Sequence, residues 1–452
     1  MEEFEFAHRD GARYIGGFIG SKEARDEWLA PQLESWREGV KTLARVARKY
    51  PQTAYAGLVK SLQTEWTYLQ RVVPDIATSF AEIEEEIAMT FLPALFDSEA
   101  PDRDLTQLPV RMAGLGIPDP WRHAQRHYQT SRMMMEAVNT SLMVGEELDA
   151  ISYGIDSMRI LQDHKALQEV DMEWQLAPLL EAAPKMDARR MRRTRETGAW
   201  LTATPSEAYG TALSCTEFRD ALRIRNGLDP LGLPDFCDGC KTTRFTVGHA
   251  FQCKKGGLVR ARHEEVAGEW HQLCAQALTP AAVSDEPTIT QYQNRDGDQA
   301  NRVPELRGDV AVHGFWSRGT TAVFDIRVTD TDSNSYRNTD PAKVLKRQET
   351  EKKNKYGEAC RQSHMHFTPL VFSVDGMEGG ELTAARKRLS SRLAAKWKRK
   401  YSQVCGFVRS RLAFTLVRSA SRCLRGTREH IQRPESIDWA QQAGMRLYTQ
   451  LF

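Results

Sequence analysis

The sequence predicts a multidomain chain with an α-helical N-terminal half, a small cysteine- and histidine-bearing module, and an α/β domain towards the C-terminus. Three observations carry this. Apolar residues recur at the helical period through most of the first 180 residues. Glycine, proline and cysteine then crowd residues 198–257. Beyond residue 305, strand-like runs alternate with helical ones. At 452 residues the chain has room for two to four domains. Its 41% hydrophobic and 27% charged residues exclude a collagen-like or wholly disordered class. No run approaches the ~18 apolar residues of a membrane span. The opening MEEFEFAHRDGARY has no signal-peptide core, so an intracellular chain is expected. Eight cysteines are too few for a disulfide framework, and closely spaced ones read as metal ligands.

Taken in order, residues 13–20 (RYIGGFIG) read as a short strand and turn. Leu29, Leu33, Trp36, Val40, Leu43 and Ala47 then mark a helix that Pro51 interrupts. Tyr55, Leu58, Leu62, Trp66 and Leu69 resume the period up to Pro74, and a third helix is expected from about 80 to 96. The stretch 97–104 (DSEAPDRD) reads as a linker. A helical block follows over 121–180, in which Met133, Met134 and Met135 read as core filler. Helix returns at 258–278, and a polar loop is expected over 279–303. Two β-runs, 309–315 and 321–329, flank a turn. A basic helix (343–360), a buried strand (367–374) and two basic helices complete the pattern. The expected domain limits are 1–104, 105–196, 197–256, 257–430 and a tail at 431–452.

Charge is unevenly spread. The formal net charge is only +2, yet residues 384–428 hold fourteen Lys and Arg and no acid, leaving −12 for the rest. Arg386, Lys387, Arg388, Arg392, Lys396, Lys398, Arg399 and Lys400 form its densest part. A basic face without interspersed acids is a footprint for phosphate contact; the bland reading is a solvated helix face.

Cys237, Cys240, His249 and Cys253 form C-x2-C-x8-H-x3-C. Two ligands across a tight turn, then a His and a Cys one helical turn apart, suit a closed tetrahedral Zn²⁺ site of structural type. The alternative is three unrelated buried cysteines and a core histidine. The other cysteines, Cys215, Cys274, Cys360, Cys405 and Cys423, are scattered and read as small core residues.

Asp309 opens one β-run and Asp325 sits inside the next. A hairpin centred near Arg318 places 309 opposite 327 and 325 opposite 311, with the two aspartates on one face. Carboxylates this close repel unless a cation lies between them, and Mg²⁺ suits such a site. Glu264, next to His263 on the preceding helix, offers a further acid. Lys352, Lys355 and Tyr356 lie on the following helix, with 352 and 356 on one face. A lysine there can orient or deprotonate water and stabilise a phosphate in transfer. By spacing alone, two aspartates at strand ends are the commoner reading.

The order of these pieces resembles the C-terminal region of non-LTR retrotransposon proteins that carry a restriction-like endonuclease. The matching residues are the Cys237/Cys240/His249/Cys253 knuckle, Arg262-His263-Glu264, Arg307-Gly308-Asp309, Asp325-Ile326-Arg327-Val328 and Lys352-x-x-Lys355-Tyr356. Further upstream, Tyr14 to Gly20 is similar to the strand entering a reverse transcriptase thumb. Leu108-Pro109 and Ala113-Gly114-Leu115-Gly116-Ile117 are similar to the Gly-rich motif beyond it. The resemblance runs from about residue 12 to about 428.

It implies a thumb-like region at 1–104, a connector at 105–196, the knuckle at 197–256 and a restriction-endonuclease-like domain at 257–430. It also implies an Mg²⁺-dependent endonuclease with Asp309, Asp325 and Lys352 at its centre, joined by Lys355, Tyr356 and Glu264. That enzyme would nick nuclear DNA to prime reverse transcription, with DNA and element RNA as partners. Gly308 stands where the family carries proline, and Arg327 where a simpler nuclease carries lysine. The polymerase's paired-aspartate motif is absent from the chain, so polymerisation is expected only with an upstream region. A non-catalytic nucleic-acid-binding module and a degenerate remnant are the competing expectations.

Overall fold

The computed structural model describes residues 10–195, 197–290 and 305–429. The expected tail at 431–452 lies outside them. The described chain is mostly helical, with a small mixed sheet.

The N-terminal residues form a β-hairpin, β1 (Gly11–Tyr14) and β2 (Gly17–Gly20), turned at Ile15 and Gly16, both at positive φ. Ser21 then caps α1 (Lys22–Ala47) by accepting from the Ala24 N–H. Short helices α2 (Pro51–Gly57) and α3 (Gln63–Val72) are joined by a π-turn at Leu58–Leu62. A second π-turn at Ile87–Phe91 joins α4 (Ala81–Glu86) to α5 (Leu92–Phe96). These pieces bury Leu29, Trp36, Leu58, Trp66, Phe80 and Phe91 in one apolar core. After the one-turn α6 (Arg103–Thr106), α7 (Pro120–Val144) and α8 (Ala150–Ala182) form a long hairpin, capped by Asp119 and Asp149. The helical block of 121–180 is therefore two helices, broken where Gly145 ends α7 at φ +75. Met133 and Met135 are exposed there, against the core role expected of them, because only the base of the hairpin meets the body.

Next come α9 (Lys185–Thr194), α10 (Ala199–Thr202), α11 (Cys215–Arg225) and α12 (Val247–Gln252), the last inside the cysteine module. Then α13 (Leu258–Ala277) leads to β3 (Val283–Asp285) and β4 (Thr288–Thr290), two short strands inside what reads as a polar loop. Their pairing with later segments overrides their polar composition: β3 joins β6 (Val310–His313), and β4 joins β5 (Leu306–Arg307).

The main sheet has the order β3-β6-β7-β8, with β7 (Thr321–Thr329) antiparallel to β6 and parallel to β8 (Met365–Ser373). The crossover between the parallel pair is α14 (Pro341–Gln362), started by Asp340, whose carboxylate accepts from the Ala342 and Lys343 N–H groups. One face of the sheet packs Val310, Phe324 and Ile326 against Trp270 of α13 and Leu389 of α15 (Gly380–Trp397). The other packs Val323 with Tyr356 and Cys360 of α14. The last helix, α16 (Tyr401–Arg425), reaches across the molecule: Phe414 joins the N-terminal core, Leu412 the sheet core, and Cys423 the cysteine module.

Candidate active site and metal centre

In the hairpin of β6 and β7, Val310 faces Phe324 and Ala311 faces Val323. The register is two residues away from the one the sequence suggests, because Gly314 accommodates an earlier turn at φ +75. Continuing it by one residue sets Asp309 directly opposite Asp325, and the Asp309 N–H donates to the Phe324 carbonyl at 2.9 Å. Asp325 is almost fully buried, and its Oδ2 lies 2.7 Å from Lys352 Nζ on α14. Asp309 Oδ2 accepts from the Ile326 N–H at 2.5 Å and lies 3.1 Å from His263 Nε2 on α13.

Four elements thus converge: the residue before β6, β7, α13 and α14. Burial pushes the Asp325 carboxyl above the usual range, and Asp309 adds to this, while the Lys352 ammonium and His263 pull the other way. The hydrogen bond to Asp309 raises His263, against its burial, so the imidazole favours its charged form. Tyr356 lies in the apolar cluster under the sheet, stacked on Phe367 at 5.1 Å. The ammonium groups of Lys352 and Lys355 lie 5.6 and 4.6 Å from its ring centroid, so Tyr356 serves as a platform.

Glu264 is not brought to this cluster. It pairs with Arg260 at 2.7 Å on the exposed side of α13. The neighbouring residue, His263, turns inward instead, because successive helix positions point about 100° apart. The signal was an Arg-His-Glu triplet in which the helical face, not the acidity, decides. Arg327 pairs with Glu351 of α14 at 3.2 Å. Gly308 has a local reason: a Cβ there would run into the Val323 side chain, and its N–H donates to the Pro287 carbonyl at 3.0 Å. Proline could satisfy neither condition.

The knuckle residues Cys237, Cys240, His249 and Cys253 lie together, with all four ligand atoms within 4.8 Å of one another. The Sγ–Sγ distances are 3.9 Å for Cys237–Cys253 and 3.6 Å for Cys240–Cys253. A tetrahedral Zn²⁺ with arms of about 2.3 Å puts sulfurs about 3.8 Å apart. His249 Nε2 is buried with no hydrogen-bond partner, as a ligand nitrogen would be. Burial works to raise the Cys237 thiol, but the Cys240 and Gly239 N–H groups outweigh it and hold the thiol below its ordinary value. This cluster can hold a metal ion. The segment that follows α16 clamps it: the Arg428 N–H donates to Asp238 at 2.6 Å, and its guanidinium lies over the Phe245 ring.

The basic run is spent differently from the expected open phosphate-binding face. Arg386 is buried against Glu378 at 2.7 Å. Arg388, Arg392 and Lys396 donate to the carbonyls of Phe315, Gly314 and Leu278. Arg411, Arg422 and Arg425 pair with Glu269, Glu265 and Asp220, and Arg418 holds the Gly210 and Ala212 carbonyls. Lys387, Lys398, Arg399 and Lys400 remain exposed. Apart from the nearby Glu378, the acids that neutralise the run come from distant elements, which no local charge count registers.

No helix among the described residues is long and apolar enough to cross a membrane. No family model matches the chain, and no curated protein matches it.

Proposed function

We propose that the chain is a metal-dependent DNA endonuclease with a restriction-endonuclease-like catalytic region and a structural Zn²⁺ knuckle. The observation that carries this reading is the meeting of Asp309 and Asp325 on adjacent strands, with Lys352 at 2.7 Å and His263 at 3.1 Å. Structural positions alone seldom gather two carboxylates, a lysine and a histidine at one point on the inner strands of a sheet. The donor set suits Mg²⁺: hard oxygen ligands from two opposed strands, with Asp309 Oδ1 still available. Bound there by Asp309 and Asp325, Mg²⁺ would neutralise phosphate charge and acidify water. Lys352 would hold a phosphate oxygen and stabilise its growing charge. His263, kept protonated by Asp309, would deliver a proton to the leaving oxygen. The exposed Lys387, Lys398, Arg399 and Lys400 would hold flanking phosphates.

By the family resemblance, the cut would be a nick in nuclear DNA that primes reverse transcription, with an upstream polymerase region and element RNA as partners. The test is nicking of supercoiled plasmid by the purified chain with Mg²⁺ or Mn²⁺. Nicking that disappears in Asp309→Ala and Asp325→Ala, with DNA binding retained, supports the reading. Binding without cleavage in either metal makes the chain a binding module instead.

A further inference from the structure

Helices α13 and α16, the end of α15 and the loop 203–214 enclose a cleft of about 500 Å³. That volume lies within the roughly 300–1,000 Å³ of clefts that take a small organic ligand. Tyr209, Trp397 and Phe407 line it, together with Arg411 and Arg418. Tyr209 is 75% exposed, yet its loop is held in place. Arg418 donates to the Gly210 and Ala212 carbonyls at 2.8 Å, and the Thr211 hydroxyl donates to the Thr204 carbonyl at 2.7 Å. Trp397, the last residue of α15, meets the Phe407 ring at 74° with 5.4 Å between centroids, and stays partly exposed. The Arg411 guanidinium lies 5.9 Å from the same ring.

Charge follows the rings. Lys398 turns the chain at φ +53, and Lys398, Arg399 and Lys400 come directly after Trp397. All three are exposed, and none meets an acid among the described residues. Of the two acids on the cleft, Glu269 is held by Arg411 at 2.9 Å. Only Glu207 is left against Arg418 and the three cations of the turn.

We propose that this cleft binds an unpaired strand of nucleic acid, its bases stacking on Tyr209 and Trp397 and its phosphates running to Lys398, Arg399 and Lys400. Rings beside a row of cations suit a flexible strand, because every base has a π-face and the phosphates follow the charge. A duplex presents phosphates and base edges but no base faces, so it cannot use the two rings. An acidic peptide would meet the same cations without needing Tyr209. The proposal goes beyond the endonuclease reading: it needs none of the residues around Asp309 and Asp325, and it gives the three exposed cations an unpaired strand as their partner.

Fluorescence anisotropy of the whole chain with a labelled oligo(dT) of about 20 nucleotides, longer than the ~4–16 of a typical single-strand site, tests the proposal. No Mg²⁺ or Mn²⁺ is added, so a failure to nick plasmid leaves these outcomes untouched. Tyr209→Ala is expected to weaken binding by about 5-fold or more, the loss of one base stack, with unchanged circular dichroism. Tyr209→Phe, which keeps the ring, should bind as the wild type does. An abasic strand of the same length, with phosphates but no bases, should bind more weakly than oligo(dT) by about 5-fold or more and lose nothing further in Tyr209→Ala. A strand carrying 5-iododeoxyuridine should photo-crosslink to Tyr209 or Trp397, mapped by peptide mass. Equal affinity for the abasic strand, an unchanged oligo(dT) affinity in Tyr209→Ala, or crosslinks confined to other residues would overturn the proposal. Polyglutamate binding as tightly as oligo(dT) would also overturn it and make the surface one for acidic chains.

Discussion

Lys352 and Asp325 show what a single contact decides. Asp325 was visible as an aspartate in a β-run, and Lys352 as one of several lysines on the next helix. The resemblance points to Lys352, and the packing of α14 over β7 sets it, rather than its neighbours Lys353 and Lys355, against Asp325. Lys353 instead reaches Glu381. Lys352→Met strands a buried carboxylate and is expected to cost on the order of 2–3 kcal/mol. In a denaturant titration, Asp325→Asn with Lys352→Met should cost less than the sum of the two single changes. Additive costs would mean that the pair contributes nothing. Gly308→Pro is expected to destabilise by about 2 kcal/mol or more through overpacking on Val323 and loss of the Pro287 hydrogen bond. A neutral result by thermal melting would contradict this.

At the scale of elements, the α7–α8 hairpin sets a pH dependence. Burial, with His123 and Arg71 beside it, pushes His127 down to about 4, and His123 and His164 are lowered as well. The unfolded chain takes up a proton on His127 near pH 6.5, while the folded chain does so only near pH 4. Stability is therefore present above pH 6.5 and lost as pH falls through that window, by on the order of 3 kcal/mol for His127 alone. Urea titrations at pH 7 and pH 5 should show the loss, and His127→Gln should flatten it. A parallel decline in the variant would assign the loss elsewhere. For the knuckle, a chelator should remove about one Zn²⁺ per chain. Amide exchange should then rise over residues 237–253 and at residues 426–428 after α16, where Arg428 ties the chain to the module. Unchanged exchange there would separate the metal from the fold.

For the whole molecule, the fourteen basic residues of 384–428 make a quantitative statement. If all of them met phosphates, log affinity for DNA would fall against log salt with a slope near −12. Most are committed to acids and carbonyls, and with phosphate contact from the exposed Lys387, Lys398, Arg399 and Lys400 a slope of about −4 is expected in a fluorescence anisotropy titration. A slope near −12 would mean that the internal pairs open on binding. The same arginines tie α16 to the elements it crosses: Arg411 and Arg422 reach Glu269 and Glu265 on α13, and Arg425 reaches Asp220 on α11. Arg425→Ala would leave Asp220 buried without its counter-ion.

By itself the sequence determined the periods of the long helices, the two β-runs that became β6 and β7, and the four Cys and His residues that cluster in the knuckle. Each of these is a local property, set by spacing within a few turns of chain. Tertiary structure alone decided that His263 rather than Glu264 turns to Asp309, that the hairpin register faces Asp309 with Asp325, and that Arg386 is buried. It also decided that the methionines of α7 lie outside a core. These outcomes depend on contacts between residues tens to hundreds of positions apart. There the direction of a side chain and the charge of a distant partner outweigh anything read along the chain.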